Sequence, residues 1–287
     1  MQRRTFLRAT VVGSGAAAFG GAGWLDAFAA GAKRDDGPYG PLEPADANGV
    51  RVPQGFTSRI VARTGEPVQG TSYVWHPAPD GGACFADGND PAGWIYVSNS
   101  EVPSTGGVGA IKFAADGSIT DAYRTLEDTD VNCAGGATPW NTWLSCEEVS
   151  AGQVYETDPW GQNEPIVRPA MGTFKHEACA VDPDRQVVYL TEDVPDGNFY
   201  RFTPTTWEDL SDGTLEVLVA DADEGPVTWE EVTDVAGRRA ATRYQVAAAK
   251  SFDGGEGCYY ADGTCWFTTK GDNRVWAYDA AAGTISL

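Results

Sequence analysis

The fold is indicated by a pattern that recurs along the chain, first seen in the segment Trp94-Ile95-Tyr96-Val97-Ser98-Asn99-Ser100-Glu101. Aromatic and β-branched residues, which favour strands, end here in small polar residues and a carboxylate. Segments of the same form lie at 143–148, 187–193 and 265–270. Such recurrence is the signature of a repeat architecture, in which each repeat is one supersecondary unit.

The spacing of the repeat matches the size of a propeller blade. The steps between successive anchors are 49, 44 and 78 residues, if the equivalent positions are Ile95, Leu144, Val188 and Trp266. The first two steps are close to the ~40–50 residues of a four-stranded blade. The third includes polar stretches at 206–212 and 229–239, which we interpret as helical or loop insertions. The sequence predicts an all-β fold, a β-propeller with about four recognisable blades.

Thiols and carboxylates recur within this repeat. One set lies ten or eleven residues before the anchors: Cys84, Cys133, Glu177 and Glu256. A second set lies at strand ends: Glu101, Glu148, Glu192 and Lys270. Equivalent positions of successive blades converge around the central channel, where several carboxylates repel one another unless they are protonated or neutralised by cations. The alternative is that these side chains simply face water at strand ends.

Composition narrows the choice of ligand and partner. The net charge of −21 argues against binding to nucleic acid or to an anionic membrane. Only two histidines are present, so a metal would be held mainly by carboxylates and thiolates. Oxygen ligands favour calcium or ferric iron, and a thiolate favours a transition metal.

The N-terminus has the features of an export signal. Arg3-Arg4 and Phe6-Leu7 precede a small-residue apolar run, which is typical of a twin-arginine signal peptide. We predict a signal peptide at 1–29, a linker at 30–48 and the propeller domain at 49–287. The apolar run is shorter than the ~20 residues that span a bilayer, which disfavours the alternative of a stable membrane anchor. We therefore expect export by the twin-arginine machinery to the periplasm or the extracellular space.

Several local sequences resemble a known family. The run Asn132-Cys133-Ala134-Gly135-Gly136-Ala137-Thr138-Pro139-Trp140-Asn141-Thr142-Trp143-Leu144-Ser145-Cys146-Glu147-Glu148 is similar to the signature of PhoX-type alkaline phosphatases. The segments at 172–177, 180–183, 189–193 and 255–257 resemble later parts of the same pattern. The resemblance covers roughly residues 50 to 287.

This resemblance implies a six-bladed propeller that hydrolyses small phosphomonoesters at an axial site containing iron and calcium. By motif, Cys133 would bridge the irons, and carboxylate ligands of iron or calcium would be Glu148, Glu177 and Glu256. Asp128, shortly before the cysteine, is a further candidate calcium ligand.

Two features of the family are missing from this sequence. The family has an arginine shortly before the last of these glutamates, where this chain has Gly254-Gly255. Lys270 is a candidate replacement for contact with substrate, and Lys250 is an alternative. The family's later Asp-bearing metal segment is also absent, so we expect a ring that is incomplete at its C-terminal end.

The remaining cysteines leave the disulfide pairing open. Six cysteines in an exported protein invite disulfides. We favour a Cys146–Cys179 pair on neighbouring strands. Cys258 and Cys265 flank the Asp262-Gly263 turn, but a two-residue hairpin would place Tyr260 opposite Cys265.

Three functions remain open from the sequence. The first is a secreted, metal-dependent alkaline phosphatase of the PhoX type. The second is a secreted calcium-binding propeller without catalytic turnover. The third is another propeller hydrolase, such as a lactonase or esterase with an axial calcium.

Overall fold

The computed structural model describes residues 38–88 and 92–287. The predicted signal peptide at 1–29 lies outside these residues, as does the first part of the predicted linker. The boundary between two compact units lies between Val61 and Ala62. In the described part of the first unit, Leu42 and Pro53 form an isolated antiparallel bridge. The predicted domain boundary at residue 49 stays a prediction.

The second unit contains four antiparallel sheets. Each sheet has four neighbouring strands that are consecutive in sequence, and two of the sheets have a fifth strand at one edge. The first sheet has the order β1-β2-β3-β4, with strands β1 (Pro79–Ala86), β2 (Trp94–Ser100), β3 (Gly106–Phe113) and β4 (Ile119–Thr129). The second has the order β5-β6-β7-β8, with strands β5 (Asn132–Ala137), β6 (Trp143–Glu147), β7 (Val154–Thr157) and β8 (Ile166–Val167).

The other two sheets have five strands each. The third has the order β9-β10-β11-β12-β14, with strands β9 (His176–Asp182), β10 (Val187–Glu192), β11 (Phe199–Thr206), β12 (Asp209–Val219) and β14 (Thr228–Glu231). The fourth has the order β15-β16-β17-β18-β13, with strands β15 (Gly255–Ala261), β16 (Thr264–Thr269), β17 (Arg274–Asp279), β18 (Thr284–Ser286) and β13 (Gly225–Pro226). The described residues contain no α-helix, only 3-10 turns at Pro169–Met171 and Thr242–Tyr244.

The strands arise from residues that suit a half-buried pleated surface. In β16 the side chains alternate, with Cys265, Phe267 and Thr269 buried. In β9 and β10 every residue is buried, because both faces of the third sheet are covered by neighbouring sheets. The sequence-based interpretation of 206–212 and 229–239 as helical or loop insertions is wrong in part. Residues 209–219 and 228–231 extend the third sheet instead.

A separate hydrophobic core lies between each pair of consecutive sheets. Val97 and Trp143 share a core between the first two sheets, and Leu144 and Leu190 share the next one. Between the third and fourth sheets, the rings of Phe199 and Phe267 stack with their centroids 4.2 Å apart. Face-to-face packing of successive sheets is the arrangement of propeller blades.

The first strands of the four sheets face a common interior. β1 contacts β5, β5 contacts β9, and β9 contacts β15. A cavity of about 300 Å³ is lined by residues from all four strands, among them Gly82, Gly135, Cys179 and Cys258. The fold is therefore all-β and propeller-like, as the sequence predicts, with four blades arranged around this channel.

Candidate metal centre

The channel begins with one chemically distinctive residue from each blade. The second residue of each first strand is a carboxylic acid or a thiol: Asp80, Cys133, Glu177 and Glu256. Neighbouring members of this set have ligand atoms within 4.8 Å of each other, so the four side chains lie at a similar level of the channel. The sequence-based equivalence of Cys84 with this set is wrong. Cys84 lies in the middle of β1, opposite Tyr96, and is exposed.

A second level is formed by the residue that directly follows each second strand. These residues are Glu101, Glu148, Asp193 and Lys270. The sequence places Glu192 rather than Asp193 in this set, and the structure corrects that assignment by one residue. Glu192 is the last residue of β10 and is fully buried, with Oε2 accepting a hydrogen bond from the Tyr200 hydroxyl at 2.8 Å and Oε1 paired with Arg243 at 3.0 Å.

The two levels combine into three groups that could hold a metal ion. In each group, the ligand atoms lie within 4.8 Å of one another. The groups are Asp80–Glu101–Cys133, Cys133–Glu148–Glu177 and Glu177–Asp193–Glu256. Each joins a first-strand residue and the residue after the second strand of one blade to the first-strand residue of the next. The groups share Cys133 and Glu177, so they form one continuous arc.

Cys133 is the only thiol in these groups among the described residues. Its Sγ lies 3.2 Å from Glu177 Oε1 and 3.7 Å from Asp80 Oδ1. Burial and the neighbouring carboxylates raise the pKa of this thiol, so that it is protonated in the metal-free protein. A thiolate at this position therefore needs a cation beside it.

Glu177 lies at the centre of the arc and is 4 % exposed. Burial raises its pKa to about 8; the hydrogen bond from Cys133 opposes this, and the negative charges of Glu256, Glu148 and Asp193 add to it. Burial also raises the pKa of Glu148. The site thus concentrates more negative charge than the protein alone compensates, which is the condition under which a cation binds well.

Two lysines partly neutralise the arc. Lys175 Nζ lies 2.8 Å from Glu148 Oε1 and 2.7 Å from Asp193 Oδ2. Lys270 Nζ lies 2.7 Å from the same Asp193 oxygen and 2.8 Å from Glu256 Oε1. Although burial lowers the pKa of each ammonium group, the carboxylate partners outweigh it and raise the pKa of both. Burial alone would raise the pKa of Asp193. Its hydrogen bonds with Glu148 and the two lysines outweigh burial, so the net effect is a lowered pKa.

The structure brings together all but one of the metal-ligand and substrate-contact residues that the sequence predicts. Cys133, Glu148, Glu177, Glu256 and Lys270 meet in the arc. Asp128 does not; it lines another cavity, of about 580 Å³, together with Tyr73, His76 and Arg124.

The sequence patterns do not identify three residues of this site: Asp80 and Asp193, which belong to the arc, and Lys175, which is paired with it. Asp193 and Lys175 lie inside segments that resemble the family, and this resemblance could have indicated that they belong to the site. Asp80 lies in a Pro-Asp-Gly-Gly run that looks like a turn rather than the start of a strand.

The cysteines outside the arc are free thiols in this structure. Cys146 and Cys179 are buried and in contact, and the hydrogen bond between them raises the pKa of the Cys146 thiol. Their disulfide stays a prediction. Tyr260 lies opposite Cys265, as the two-residue hairpin predicts, while the Sγ atoms of Cys258 and Cys265 lie 3.5 Å apart across the hairpin.

The sequence pattern of the family described as alkaline phosphatase PhoX matches residues 91–158 and 149–284. No curated protein matches the chain. Among solved structures, a chain of the nidogen/laminin complex is similar at 13% identity and a TM-score of 0.37, over 73% of this chain and 80% of that one. A protein of unknown function from Bacteroides thetaiotaomicron is similar at 13% identity and a TM-score of 0.35, over 75% of this chain and 58% of that one.

The fold and the site define a propeller-like β protein with an acidic, thiol-containing arc in its channel. The family match covers more than half of the chain. The chain belongs to the PhoX family of alkaline phosphatases. This family is metal-dependent and typically exported, and membership indicates an alkaline phosphatase-like function on a small-molecule substrate. No part of the described chain forms a helix with the length and apolar character needed to cross a membrane.

Proposed function

We propose that the protein is an exported alkaline phosphatase that hydrolyses phosphomonoesters with iron and calcium held in the arc. The observation that carries the proposal is the recurrence of an acid or thiol at the second position of the first strand in each of four blades. Each neighbouring pair of these residues lies within ligand distance. A twin-arginine signal at 1–29 supports export to the periplasm or the extracellular space.

The chemistry of the donors suggests which cation each group would take. Cys133, Glu148 and Glu177 offer a thiolate with carboxylates, a set that suits ferric iron. Glu177, Asp193 and Glu256 offer only oxygen, a set that suits calcium. Asp128 is left out of the proposal because it lies in a different cavity.

Bound iron and calcium would supply the positive charge that binds a phosphate ester and offsets the charge that develops in its transition state. The protein's own part is to hold the donors in place. Asn99 Nδ2 donates hydrogen bonds to the carbonyls of Cys133 and Ala134 at 3.0 and 2.8 Å, which fixes the start of β5 from the neighbouring blade. The Cys133 thiol, which donates to Glu177 Oε1 at 3.2 Å, must lose its proton when a cation binds, and binding would release that proton to solvent.

Lys270 is the proposed contact for the phosphate group. Where the family has an arginine, this chain has Gly254-Gly255. A Cβ added at Gly254 would lie 3.0 Å from Lys270 Cγ and 3.2 Å from Asp193 Oδ1. The lysine side chain therefore occupies the room above the glycine. An ammonium group supplies charge to a phosphate, although it lacks the paired hydrogen bonds of a guanidinium group.

The experiment is metal analysis of protein purified from its native host, together with turnover of 4-nitrophenyl phosphate. We expect iron and calcium to copurify with the protein, and we expect Glu177→Gln to lower turnover by at least a hundredfold. The exposed Glu127→Gln is the matched control, since Glu127 lies outside the arc. Calcium without iron or turnover would support a calcium-binding propeller without catalysis. Turnover of a lactone or a carboxylic ester but not of a phosphomonoester would support another propeller hydrolase.

A further inference from the structure

Lys270 holds a position that carries an acid in the other three blades. The residue directly after the second strand is Glu101 in the first blade, Glu148 in the second and Asp193 in the third. In the fourth blade, this residue is Lys270. The repeat thus replaces a negative ligand with a positive charge at one end of the arc.

The ammonium group of Lys270 is bound to oxygens that a cation would need. It lies 2.7 Å from Asp193 Oδ2 and 2.8 Å from Glu256 Oε1, and both residues belong to the all-oxygen group completed by Glu177. A calcium ion coordinated by these carboxylates would repel an ammonium group at such distances. The two cations therefore compete for the same ligands.

Lys270 is better placed to leave than the other lysine of the arc. Its side chain is 56 % exposed, whereas that of Lys175 is 30 % exposed. A lysine has a flexible four-carbon stem, so the ammonium group of Lys270 can move towards solvent without disturbing the strand. Its backbone remains fixed, because its N–H donates to the Gly254 carbonyl at 2.9 Å.

We propose that Lys270 is a displaceable internal cation, which occupies the Glu177–Asp193–Glu256 group until calcium binds and then becomes free to contact an anion. The inference rests on the proposed function, since it assigns calcium to that group. Calcium binding and phosphate binding are then coupled: calcium takes over the carboxylates, and the released ammonium group faces the phosphate at the mouth of the same site.

The test is calorimetric titration of the metal-free full-length protein with calcium alone, followed by titration of the calcium-loaded protein with inorganic phosphate. We expect Lys270→Gln to raise calcium affinity roughly three- to tenfold, the size expected when two partly exposed ion pairs no longer compete. The same variant should bind phosphate more weakly than the wild type. Lys270→Arg should remain close to the wild type in calcium affinity.

Lys250→Gln is the matched control, because Lys250 is paired with Asp223, outside the arc, at 2.7 Å. Thermal unfolding with and without calcium checks that each variant folds, and calcium should raise the Tm of Lys270→Gln more than that of the wild type. Equal calcium affinity of Lys270→Gln and the wild type would overturn the inference, and phosphatase turnover by the calcium-loaded wild type in that case would leave the proposed function standing. Failure of both proteins to bind calcium would overturn the inference and the calcium assignment together.

Discussion

Cys133 Sγ lies 3.2 Å from Glu177 Oε1, and each of these residues is the second in the first strand of its blade. The contact therefore joins two neighbouring blades at the level where their strands enter the channel. A thiol and a carboxylic acid this close are stable together while at least one is protonated, or when a cation lies between them. Which of these conditions holds should determine the metal content of the protein and the pH dependence of its stability.

Replacing the thiol should change metal selectivity more than fold. We expect Cys133→Ser to lose iron while retaining calcium, because the all-oxygen group does not include Cys133. The measurement is elemental analysis of purified protein, with Cys84→Ser as the control, since that exposed thiol lies outside the three groups. Unchanged iron content in Cys133→Ser would contradict the assignment.

The acidic arc should destabilise the metal-free protein at alkaline pH. Burial is the main reason why the pKa of Glu177 is raised from its ordinary value of 4.5 to about 8 in the folded protein. Its contribution to stability is therefore fully present below pH 4.5 and is lost as the pH rises through 8. Over this interval, the loss can reach about 5 kcal/mol.

Glu177→Gln carries no titrating group at this position, so we expect a flatter dependence of unfolding free energy on pH between 4.5 and 8. At pH 9 the metal-free variant should be more stable than the metal-free wild type. Urea denaturation in the presence of a chelator measures both. Parallel pH profiles for the two proteins would show that Glu177 is not the group responsible.

His76 should act in the opposite direction. Burial, aided by the positive charge of Arg124, lowers the pKa of His76 from 6.5 to about 4, although the Asn99 carbonyl opposes this. Its contribution to stability is fully present above pH 6.5 and is lost as the pH falls through 4, by up to about 3 kcal/mol. We expect His76→Gln to reduce the fall in unfolding free energy over that interval. An undiminished fall, measured by urea denaturation, would exclude His76 as its source.

Close approach of the second and third blades depends on a glycine. A Cβ added at Gly136 would lie 2.3 Å from the Cys179 carbonyl oxygen on β9, which is closer than real contacts allow. We expect Gly136→Ala to lower the free energy of unfolding by about 1–3 kcal/mol, the usual effect of overpacking. Gly88→Ala is the control, because an added Cβ there meets nothing within 4 Å. Equal Tm values for the two variants would contradict the proposed strain.

The repeat, its four recognisable copies and most of the acidic arc could be predicted from the sequence, because strand patterns and turn residues are local signals. Exact positions could not be predicted where the strands are irregular. A register shift between Leu190 and Glu192 accompanies the placement of Asp193, rather than Glu192, in the arc. A shift between Pro79 and Gly82 similarly hides Asp80.

The pairing of strands that are distant in sequence could not be predicted from local sequence patterns either. β13 at Gly225–Pro226 pairs with β18 at Thr284–Ser286, so the fourth sheet takes its outer strand from a segment that precedes its first strand. No local pattern in a two-residue strand indicates such a partner. The ion pairs of Lys175 and Lys270 likewise depend on the folded arrangement of separate blades.

Whether the arc binds iron beside Cys133 can be seen by element-specific anomalous diffraction from crystals of the natively loaded protein. We expect an iron signal adjacent to Cys133 Sγ, Glu148 and Glu177, and calcium density adjacent to Asp193 and Glu256. Iron located away from Cys133, or no metal signal at the arc in protein that retains phosphatase turnover, would contradict this expectation.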